Sequence, residues 1–212
     1  MSRAGARRPL SSAEFQRLTG VSRETLGWLK RYRESLLRWQ TAVKLVGPAT
    51  LQDVWRRHFL DSAQLWAYLP SAAARIVDLG SGAGFPGLVL AILGAGDVHL
   101  IESNRRKAAF LREVARRTDT VVTIHGARID SVPPLGADVV TARGCAPLDR
   151  LLDLAVPHLA DHGFCVFLKG RGVDAELTEA KKRWNMRIGR FPSCSERSGV
   201  VLKLEAISRE TP

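Results

Sequence analysis

The sequence predicts an α/β fold, in which a small helical region precedes a seven-stranded, mostly parallel sheet. Two observations support this prediction. Short apolar runs alternate with helical stretches, which is typical of a parallel, doubly wound sheet. The apolar runs cover 75–79, 98–102, 121–125, 137–141 and 163–168, and the helical stretches cover about 85–94, 104–117, 147–159 and 174–184. Two final runs, 187–191 and 199–207, have no helix between them. We therefore expect the last strands to form an antiparallel hairpin at the edge of the sheet.

The chain before the first strand has the period of helices. Ser11 and Glu14 have the spacing of a capping box, which marks the start of a helix. The predicted elements are, in order, a basic tail at 1–9, a short helix at 11–20, a longer helix at 22–45 and a third helix at 50–69. We therefore divide the chain into a basic tail with a helical region, 1–70, and a larger α/β domain, 71–212.

The charge of the chain predicts a polyanionic partner. Its 212 residues include 32 lysines and arginines against 21 acids, and the formal net charge is +11. Each phosphate that a basic protein neutralises releases counterions and adds affinity, so this excess favours a nucleic acid. The alternative is compositional drift, since arginine is more abundant than lysine. A hydrophobic content of 45% is enough for a substantial core.

The cysteine and hydropathy patterns predict a cytoplasmic protein without a membrane partner. The three cysteines, Cys145, Cys165 and Cys194, are odd in number and have no short paired spacing. This favours reduced thiols over a disulfide frame or a metal site. Apolar runs are shorter than the roughly 18 residues of a membrane span. No export signal is recognisable near the N-terminus.

The stretch 76–87 predicts a strand, a tight turn and the start of a helix. Its apolar run ends around Asp78. Three alternating glycines follow: Gly80, Gly82 and Gly84. Glycine is needed where the backbone has positive φ or lies against a ligand. A dinucleotide-binding turn has the spacing G-x-G-x-x-G, and this chain has Phe85 at the third glycine position. The spacing G-x-G-x-G after an acid resembles the turn that binds S-adenosylmethionine in Rossmann-like methyltransferases.

The carboxyl ends of the next four predicted strands carry groups suited to a nucleoside or a phosphate. Ligands of a doubly wound sheet bind outside these ends, where the strand order reverses. Glu102 can accept hydrogen bonds from both ribose hydroxyls. Ile129 and Asp130 lie in a segment that can offer a backbone amide and a carboxylate to an adenine edge. Arg143 and Lys169 bring positive charge to the same rim.

Each of these residues also has a simpler structural explanation. Asp78 can hydrogen-bond the amides of its own turn. Glu102 can be an acid at the start of a helix, since good capping residues follow it. Asp130 can pair with Arg128, and the two strand-end cations can be solvated. The shared position of all these groups on one rim favours a binding site.

Other residues narrow the chemistry. His58 lies on the apolar stripe of the third predicted helix, where a histidine is more often a hydrogen-bonded core residue than a catalyst; we keep it as a secondary contact. Methylation of an exocyclic amine commonly uses a Pro-Pro-aromatic turn after the fourth strand, but Pro133-Pro134 precedes that strand. Cys145 lacks the preceding proline of a nucleophilic cysteine. A ring nitrogen with its own lone pair, such as guanine N7, needs only positioning, which can supply ~7–11 kcal/mol.

Six segments in order resemble the RsmG (GidB) methyltransferases, which make 7-methylguanosine in bacterial small-subunit ribosomal RNA. They are 57–62, 77–87, 102–111, 127–130, 141–146 and 167–170, and the resemblance covers nearly the whole chain from about residue 22. It implies a Rossmann-like class I methyltransferase fold and S-adenosylmethionine as cofactor. The implied partner is small-subunit ribosomal RNA, within the ribosomal subunit, and we expect a monomer.

The resemblance also implies roles for particular residues. The implied cofactor contacts are Gly80, Phe85, the backbone of Ile129, Asp130 and Arg143. Glu196-Arg197 matches a pair near the family's active site, so Arg197 is a candidate for holding RNA or the target base beside Arg143 and Lys169. Two positions depart from the family pattern: Lys44-Leu45 replaces Asn-Leu, and Gly144-Cys145 replaces Ala-Val or Ala-Phe.

Two other functions compete with this one. The first is a ribosome-assembly factor that binds the cofactor but acts mainly by binding RNA. The second is a nicotinamide-dependent oxidoreductase, which Phe85 disfavours because it occupies the third glycine position of a dinucleotide turn.

Overall fold

The computed structural model describes residues 8–72 and 74–210 and contains the predicted seven-stranded sheet. The strands are β1 (Arg75–Leu79), β2 (Asp97–Ile101), β3 (Thr123–His125), β4 (Ala137–Arg143), β5 (Leu159–Lys169), β6 (Trp184–Pro192) and β7 (Val200–Arg209). Their order in the sheet is β3-β2-β1-β4-β5-β7-β6. β7 lies between β5 and β6 and is antiparallel to both, while the other pairs are parallel. The predicted α/β fold with an antiparallel C-terminal strand is confirmed.

The helices lie close to their predicted positions. They are α1 (Ser12–Thr19), α2 (Arg23–Trp39), α3 (Asp61–Ala63), α4 (Gly87–Ile92), α5 (Arg105–Arg117), α6 (Leu148–Ala155) and α7 (Val173–Ala180). The capping box of Ser11 and Glu14 starts α1, and Gly20, with φ 70°, ends it. Helix α2 ends earlier than predicted, because the amide of Gln40 bonds the backbone of Leu45 and Val46 and turns the chain.

The third helical segment is less regular than the predicted helix at 50–69. It is a 3-10 helix (Pro48–Asp53), a π-helix (Trp55–Leu60), α3 and a second 3-10 helix (Gln64–Tyr68). Thr50 lies inside the first 3-10 helix and not at its start. Its hydroxyl donates to the carbonyl of Gly47 at 2.6 Å and also meets the ring of His58. Short π-helical segments are often found at functional sites, and the one here contains His58.

The two faces of the sheet are buried by different helices. Helices α6 and α7 cover one face, while α4, α5 and the helical region before β1 cover the other. Tyr32 of α2 connects that helical region to the glycine turn after β1. Its ring stacks on Phe85 with centroids 5.2 Å apart, and its hydroxyl donates to the carbonyl of Ala83. The division of the chain near residue 70 stays a prediction, because both parts contribute to this core.

The sheet order reverses between β1 and β4, which are adjacent and parallel. Ligands bind at such a switch point, outside the carboxyl ends of the strands. The glycine turn after β1 and Arg143 at the end of β4 therefore meet there. None of the helices within 8–72 and 74–210 is long and apolar enough to cross a membrane.

Candidate active site

The three glycines of the turn after β1 have positive φ, at 62°, 57° and 90°, but they face different surroundings. A Cβ on Gly80 would lie 2.7 Å from the sulfur of Cys145. A Cβ on Gly84 would lie 2.5 Å from the hydroxyl of Tyr32, inside the core. Gly82 has open space, and its amide donates to Glu102 at 2.8 Å. Gly82 therefore leaves room beside the turn, while Gly84 serves packing.

Asp78 lies beneath this turn and is fully buried. Thr141, its register partner on β4, donates a hydrogen bond of 2.8 Å to its carboxylate. Burial raises the pKa of Asp78 to about 6. Asp78 does not line either of the two cavities described below. This position suits an acid that supports the turn from below.

A cavity of about 290 Å³ lies beside the glycine turn and brings together several of the predicted cofactor residues. Its lining includes Gly80, Glu102, Ile129 and Asp130. The Glu102 carboxylate accepts from the amides of Gly82 and Asn104, at 2.8 and 2.7 Å, so its position is fixed on both oxygens. Each of those oxygens retains a second lone pair for a ligand. We name this space the nucleoside cavity.

Asp130 forms the ion pair with Arg128 that the sequence allowed as an alternative. The guanidinium holds both carboxylate oxygens, at 3.0 and 2.7 Å, and these hydrogen bonds lower the pKa of Asp130. The pair is exposed, so it can open at little cost. The carboxylate is therefore ionised and accessible at the mouth of the nucleoside cavity.

A second cavity of about 420 Å³ lies on the other side of the segment 143–146, and we name it the acceptor cavity. Arg143 and Gly144 line the acceptor cavity, while Cys145 and Ala146 line the nucleoside cavity. Other lining residues of the acceptor cavity are Arg57, His58, Asp61, Lys169, Ser195 and Glu196. The segment after β4 is thus a short partition between two binding spaces.

Arg143 is held on several sides within the acceptor cavity. One Nη donates to the carbonyl of Arg57 at 3.0 Å and lies 3.4 Å from Asp61, and the other donates to Nδ1 of His58 at 2.8 Å. The guanidinium also lies over the ring of Phe85, 5.0 Å from its centroid. Burial lowers the pKa of Arg143, and Asp61 opposes that shift. The alternative of a solvated strand-end cation is wrong for Arg143.

His58 positions Arg143 and does not present a free nitrogen. Burial and then the charges of Arg143 and Arg57 lower the pKa of His58 to about 3, so the ring is neutral. Because a guanidinium only donates, Nδ1 must accept, and Nε2–H donates to the hydroxyl of Thr50 at 2.7 Å. The structure agrees in part with both interpretations of His58. It is a hydrogen-bonded buried residue, and it also lines the acceptor cavity.

The other two predicted cations differ in position. Lys169 is buried in the wall, where its ammonium donates to Glu176 at 2.7 Å and to the carbonyl of Ala146 at 2.9 Å. Its charge is therefore already paired. Arg197 is exposed and lines a neighbouring groove instead of the acceptor cavity. The structure does not bring Arg197 together with Arg143 and Lys169.

Asp61 connects Arg143 to the loop between β6 and β7. No role was predicted for it from the sequence. The Asp61 carboxylate accepts from Ser195 at 2.5 Å and from Gln64 at 3.0 Å. Gln64 in turn bonds Ser193 and the amide of Cys194. Asp61 lay within a segment of the family resemblance, but its contacts with Ser193 and Ser195 are more than 130 residues away in sequence, and no local pattern indicates them.

Comparison with known proteins points to one family. Residues 26–198 match the family model GidB, described as rRNA small subunit methyltransferase G. A protein of that description from Paramagnetospirillum magneticum is 59% identical over 90% of this chain and 93% of its own length. Another from Rhodospirillum centenum is 53% identical over 93% of this chain and 91% of its own length.

Solved structures show the same fold at low sequence identity. A SAM dependent methyltransferase from Aquifex aeolicus aligns with a TM-score of 0.57 at 15% identity, over 76% of this chain and 95% of that one. The M. jannaschii protein TYW2, solved in complex with AdoMet, aligns with a TM-score of 0.54 at 18% identity, over 69% and 74% of the two chains. These likenesses support the Rossmann-like methyltransferase fold.

Proposed function

Because this chain belongs to the GidB family, described as rRNA small subunit methyltransferase G, we propose that it methylates N7 of a guanine in small-subunit ribosomal RNA. The methyl donor is S-adenosylmethionine. The observation that carries the proposal is the pair of cavities that meet at the segment 143–146. A donor and an acceptor in these two spaces face each other across one turn of chain.

The residues around the nucleoside cavity fit an adenosine. Glu102 presents a fixed carboxylate for ribose hydroxyls, and the side chains of Ile129 and Leu154 give apolar flanks for a ring. Asp130 adds an acceptor for an exocyclic amine. The open side of Gly82 leaves the turn clear for the amino-acid portion. When bound, S-adenosylmethionine supplies an electrophilic methyl group on a positively charged sulfur.

The acceptor cavity fits a reaction that needs no proton removal. Guanine N7 attacks with its own lone pair, so the new nitrogen–carbon bond forms as the carbon–sulfur bond breaks, and the positive charge moves to the purine. Neutral His58, with both nitrogens engaged, is suited to hold Arg143 and not to act as a base. Arg143 then offers N–H groups to the O6 edge of the base or to a phosphate.

Charge pairing in this region suits a reaction that moves positive charge from sulfur to the base. Each cation at the acceptor cavity faces an acid, and the pairs are Arg143–Asp61, Arg57–Glu196 and Lys169–Glu176. The cavity is therefore nearly neutral despite its arginines. A strongly positive cavity would repel both the sulfonium and the methylated purine, at a cost that grows in a dry site. We place catalysis in positioning and water exclusion.

We also propose that the protein acts as a monomer in the cytoplasm on ribosomal RNA within the small subunit. A domain of this size has little room for a separate RNA-binding module, so ribosomal proteins in the particle would help to present the target. Of residues 1–70, the predicted basic tail lies largely outside the described residues, and the helical region would brace the methyltransferase domain at 71–212.

Mass spectrometry of ribosomal RNA from a deletion strain tests this function. We expect the loss of a single 7-methylguanosine, and purified protein with S-adenosylmethionine should restore it on small subunits from that strain. An unchanged modification profile together with defective subunit assembly would instead support an assembly factor. Titration with S-adenosylhomocysteine and with NADP separately tests the cofactor, and binding of NADP alone would overturn the assignment.

A further inference from the structure

A groove of about 400 Å³ next to the acceptor cavity carries an unusual set of side chains. It is lined in part by Arg171, Arg190, Phe191 and Arg197. We name it the arginine groove. It shares three lining residues with the acceptor cavity: Gly170, Gly199 and Val200. The two spaces therefore adjoin, and a polymer whose target base enters the acceptor cavity can extend past this groove.

The charge of the arginine groove differs from that of the acceptor cavity. Arg171 and Arg197 are exposed, and neither has a carboxylate within 4.0 Å in the described part of the chain. Arg190 pairs with Asp174 at 2.8 Å, and both side chains are largely exposed. The groove thus has three guanidinium groups against one carboxylate. Two of those groups are free to contact phosphates.

Phe191 adds an aromatic surface to this charge. It lies on the edge strand β6, and 39% of its surface is exposed. Its ring leans on Tyr68, with centroids 5.0 Å apart and planes at 51°. A half-exposed aromatic ring among arginines matches the arrangement by which proteins hold unpaired nucleotides, whose bases stack on the ring while cations follow the backbone. A duplex would leave the ring without a free base face.

We propose that the arginine groove binds the single-stranded RNA segment next to the target guanine. Arg171 and Arg197 contact its phosphates, and a neighbouring unpaired base stacks on Phe191. Asp174 opposes this binding by holding Arg190 and by adding negative charge. The proposal rests on the proposed function for the identity of the RNA, and it adds the surface that positions the strand.

Four variants test it, on the whole chain with unmodified small-subunit ribosomal RNA. Arg171→Gln should reduce the slope of log affinity against log salt by about 0.7, as expected for one phosphate of a single strand. Phe191→Leu keeps an apolar side chain against Tyr68 but loses stacking, and should weaken binding on the order of tenfold. Phe191→Trp keeps an aromatic ring for stacking and should bind the RNA about as tightly as the wild type. Asp174→Asn should tighten binding.

Arg187→Gln is the matched control. Arg187 is an exposed arginine, as Arg171 is, but it lies on β6, pairs with Glu205 and is outside the groove. It removes the same charge and should change RNA affinity by much less than Arg171→Gln. Equal effects of the two variants would mean that only net charge matters and would overturn the proposal. Unchanged affinity in Phe191→Leu would equally overturn it.

The same experiments separate this proposal from the proposed function. If the wild-type protein methylates ribosomal RNA while all groove variants keep its RNA affinity, the groove assignment is wrong and the function stands. If the groove variants lose RNA affinity in a protein that transfers no methyl group, the groove stands and the function fails. In each variant, S-adenosylhomocysteine should bind as in the wild type, since none of these residues lines the nucleoside cavity.

Discussion

Arg143 and His58 form a pair in which one neutral ring fixes the direction of one cation. His58 accepts from the guanidinium through Nδ1 and is itself held by Thr50 through Nε2. The pKa of His58 is lowered to about 3, chiefly by burial. Protonation would therefore break the contact and place two cations together. The cost of that protonation appears as a pH dependence of folding.

We expect acid to destabilise the protein through His58. The unfolded chain binds a proton near pH 6.5 and the folded chain only near pH 3, so this contribution is fully present above pH 6.5 and is lost as pH falls toward 3. Between pH 7 and pH 5 it amounts to at most about 2 kcal/mol. His58→Asn keeps a hydrogen-bond acceptor near the position of Nδ1 but does not titrate. It should therefore lose the part of the change in unfolding free energy between pH 7 and pH 5 that His58 contributes.

Urea unfolding at pH 5, 6 and 7 measures this effect as the difference between wild type and His58→Asn. The comparison removes the opposite contribution of Asp78, whose raised pKa favours the folded state as pH falls from about 6, because Asp78 is present in both proteins. A difference in unfolding free energy that stays constant from pH 7 to pH 5 would contradict the assignment of His58 as neutral.

The glycines of the turn make a second prediction at the level of single residues. A Cβ at position 82 would lie no closer than 3.7 Å to another atom, and in Gly82→Asp it would carry a carboxylate near Glu102, so we expect loss of S-adenosylhomocysteine binding in a folded protein. Gly84→Ala collides with Tyr32 and Leu88 in the core and should lower the unfolding free energy by about 2–4 kcal/mol. Calorimetric titration and thermal unfolding measure the two effects; the reverse pattern would refute this assignment.

Among the structural elements, the loop between β6 and β7 depends on Asp61. This loop, residues 193–199, is connected to α3 through the hydrogen bond from Ser195 to the Asp61 carboxylate. Gln64 also donates to that carboxylate and bonds the loop at Ser193. The same carboxylate faces Arg143. A disturbance of the loop can therefore reach the guanidinium through Asp61.

Asp61→Asn should loosen this loop without affecting the nucleoside cavity. Loss of the charge weakens the bonds from Ser195 and to Arg143. We expect faster amide hydrogen exchange at 193–199 and a KM for ribosomal RNA about three- to tenfold higher, with unchanged S-adenosylhomocysteine affinity. Asp153→Asn, which removes an acid paired with Arg183 and Arg209, is the control and should leave KM unchanged. Unaltered exchange in the loop would refute the connection.

For the whole molecule, the net charge of +11 predicts that RNA binding depends on salt. If three or more phosphates are neutralised, affinity for a single strand should fall about tenfold or more between ~50 and ~200 mM salt. Binding of S-adenosylhomocysteine should change little over the same range, because its nucleoside portion carries no phosphate. Filter binding and calorimetry measure the two. RNA affinity that is flat with salt would contradict a role for the basic surface.

The strand positions and most helix positions could be predicted because short apolar runs and glycine turns are local signals; the order of the strands in the sheet was not predicted. The grouping of the strand-end residues at one rim of the sheet could also be predicted, because the carboxyl ends of parallel strands share one edge. Two sets of charge contacts were not predicted. The burial of Lys169 against Glu176 depends on how α7 packs beside the end of β5, and the contacts of Asp61 with the loop join segments more than 130 residues apart. The irregular helix around His58 was missed because its apolar stripe is the same as that of a regular helix.

The antiparallel direction of β7 helps to build the acceptor cavity. Since β6 runs parallel to β5, the turn that leads into β7 opens at the rim where the binding spaces lie, and it brings Ser195 and Glu196 there. A variant without β6 and β7 would keep the glycine turn and yet lack a wall of the acceptor cavity. The hairpin that follows the five parallel strands is therefore required for the acceptor cavity and not for the nucleoside cavity.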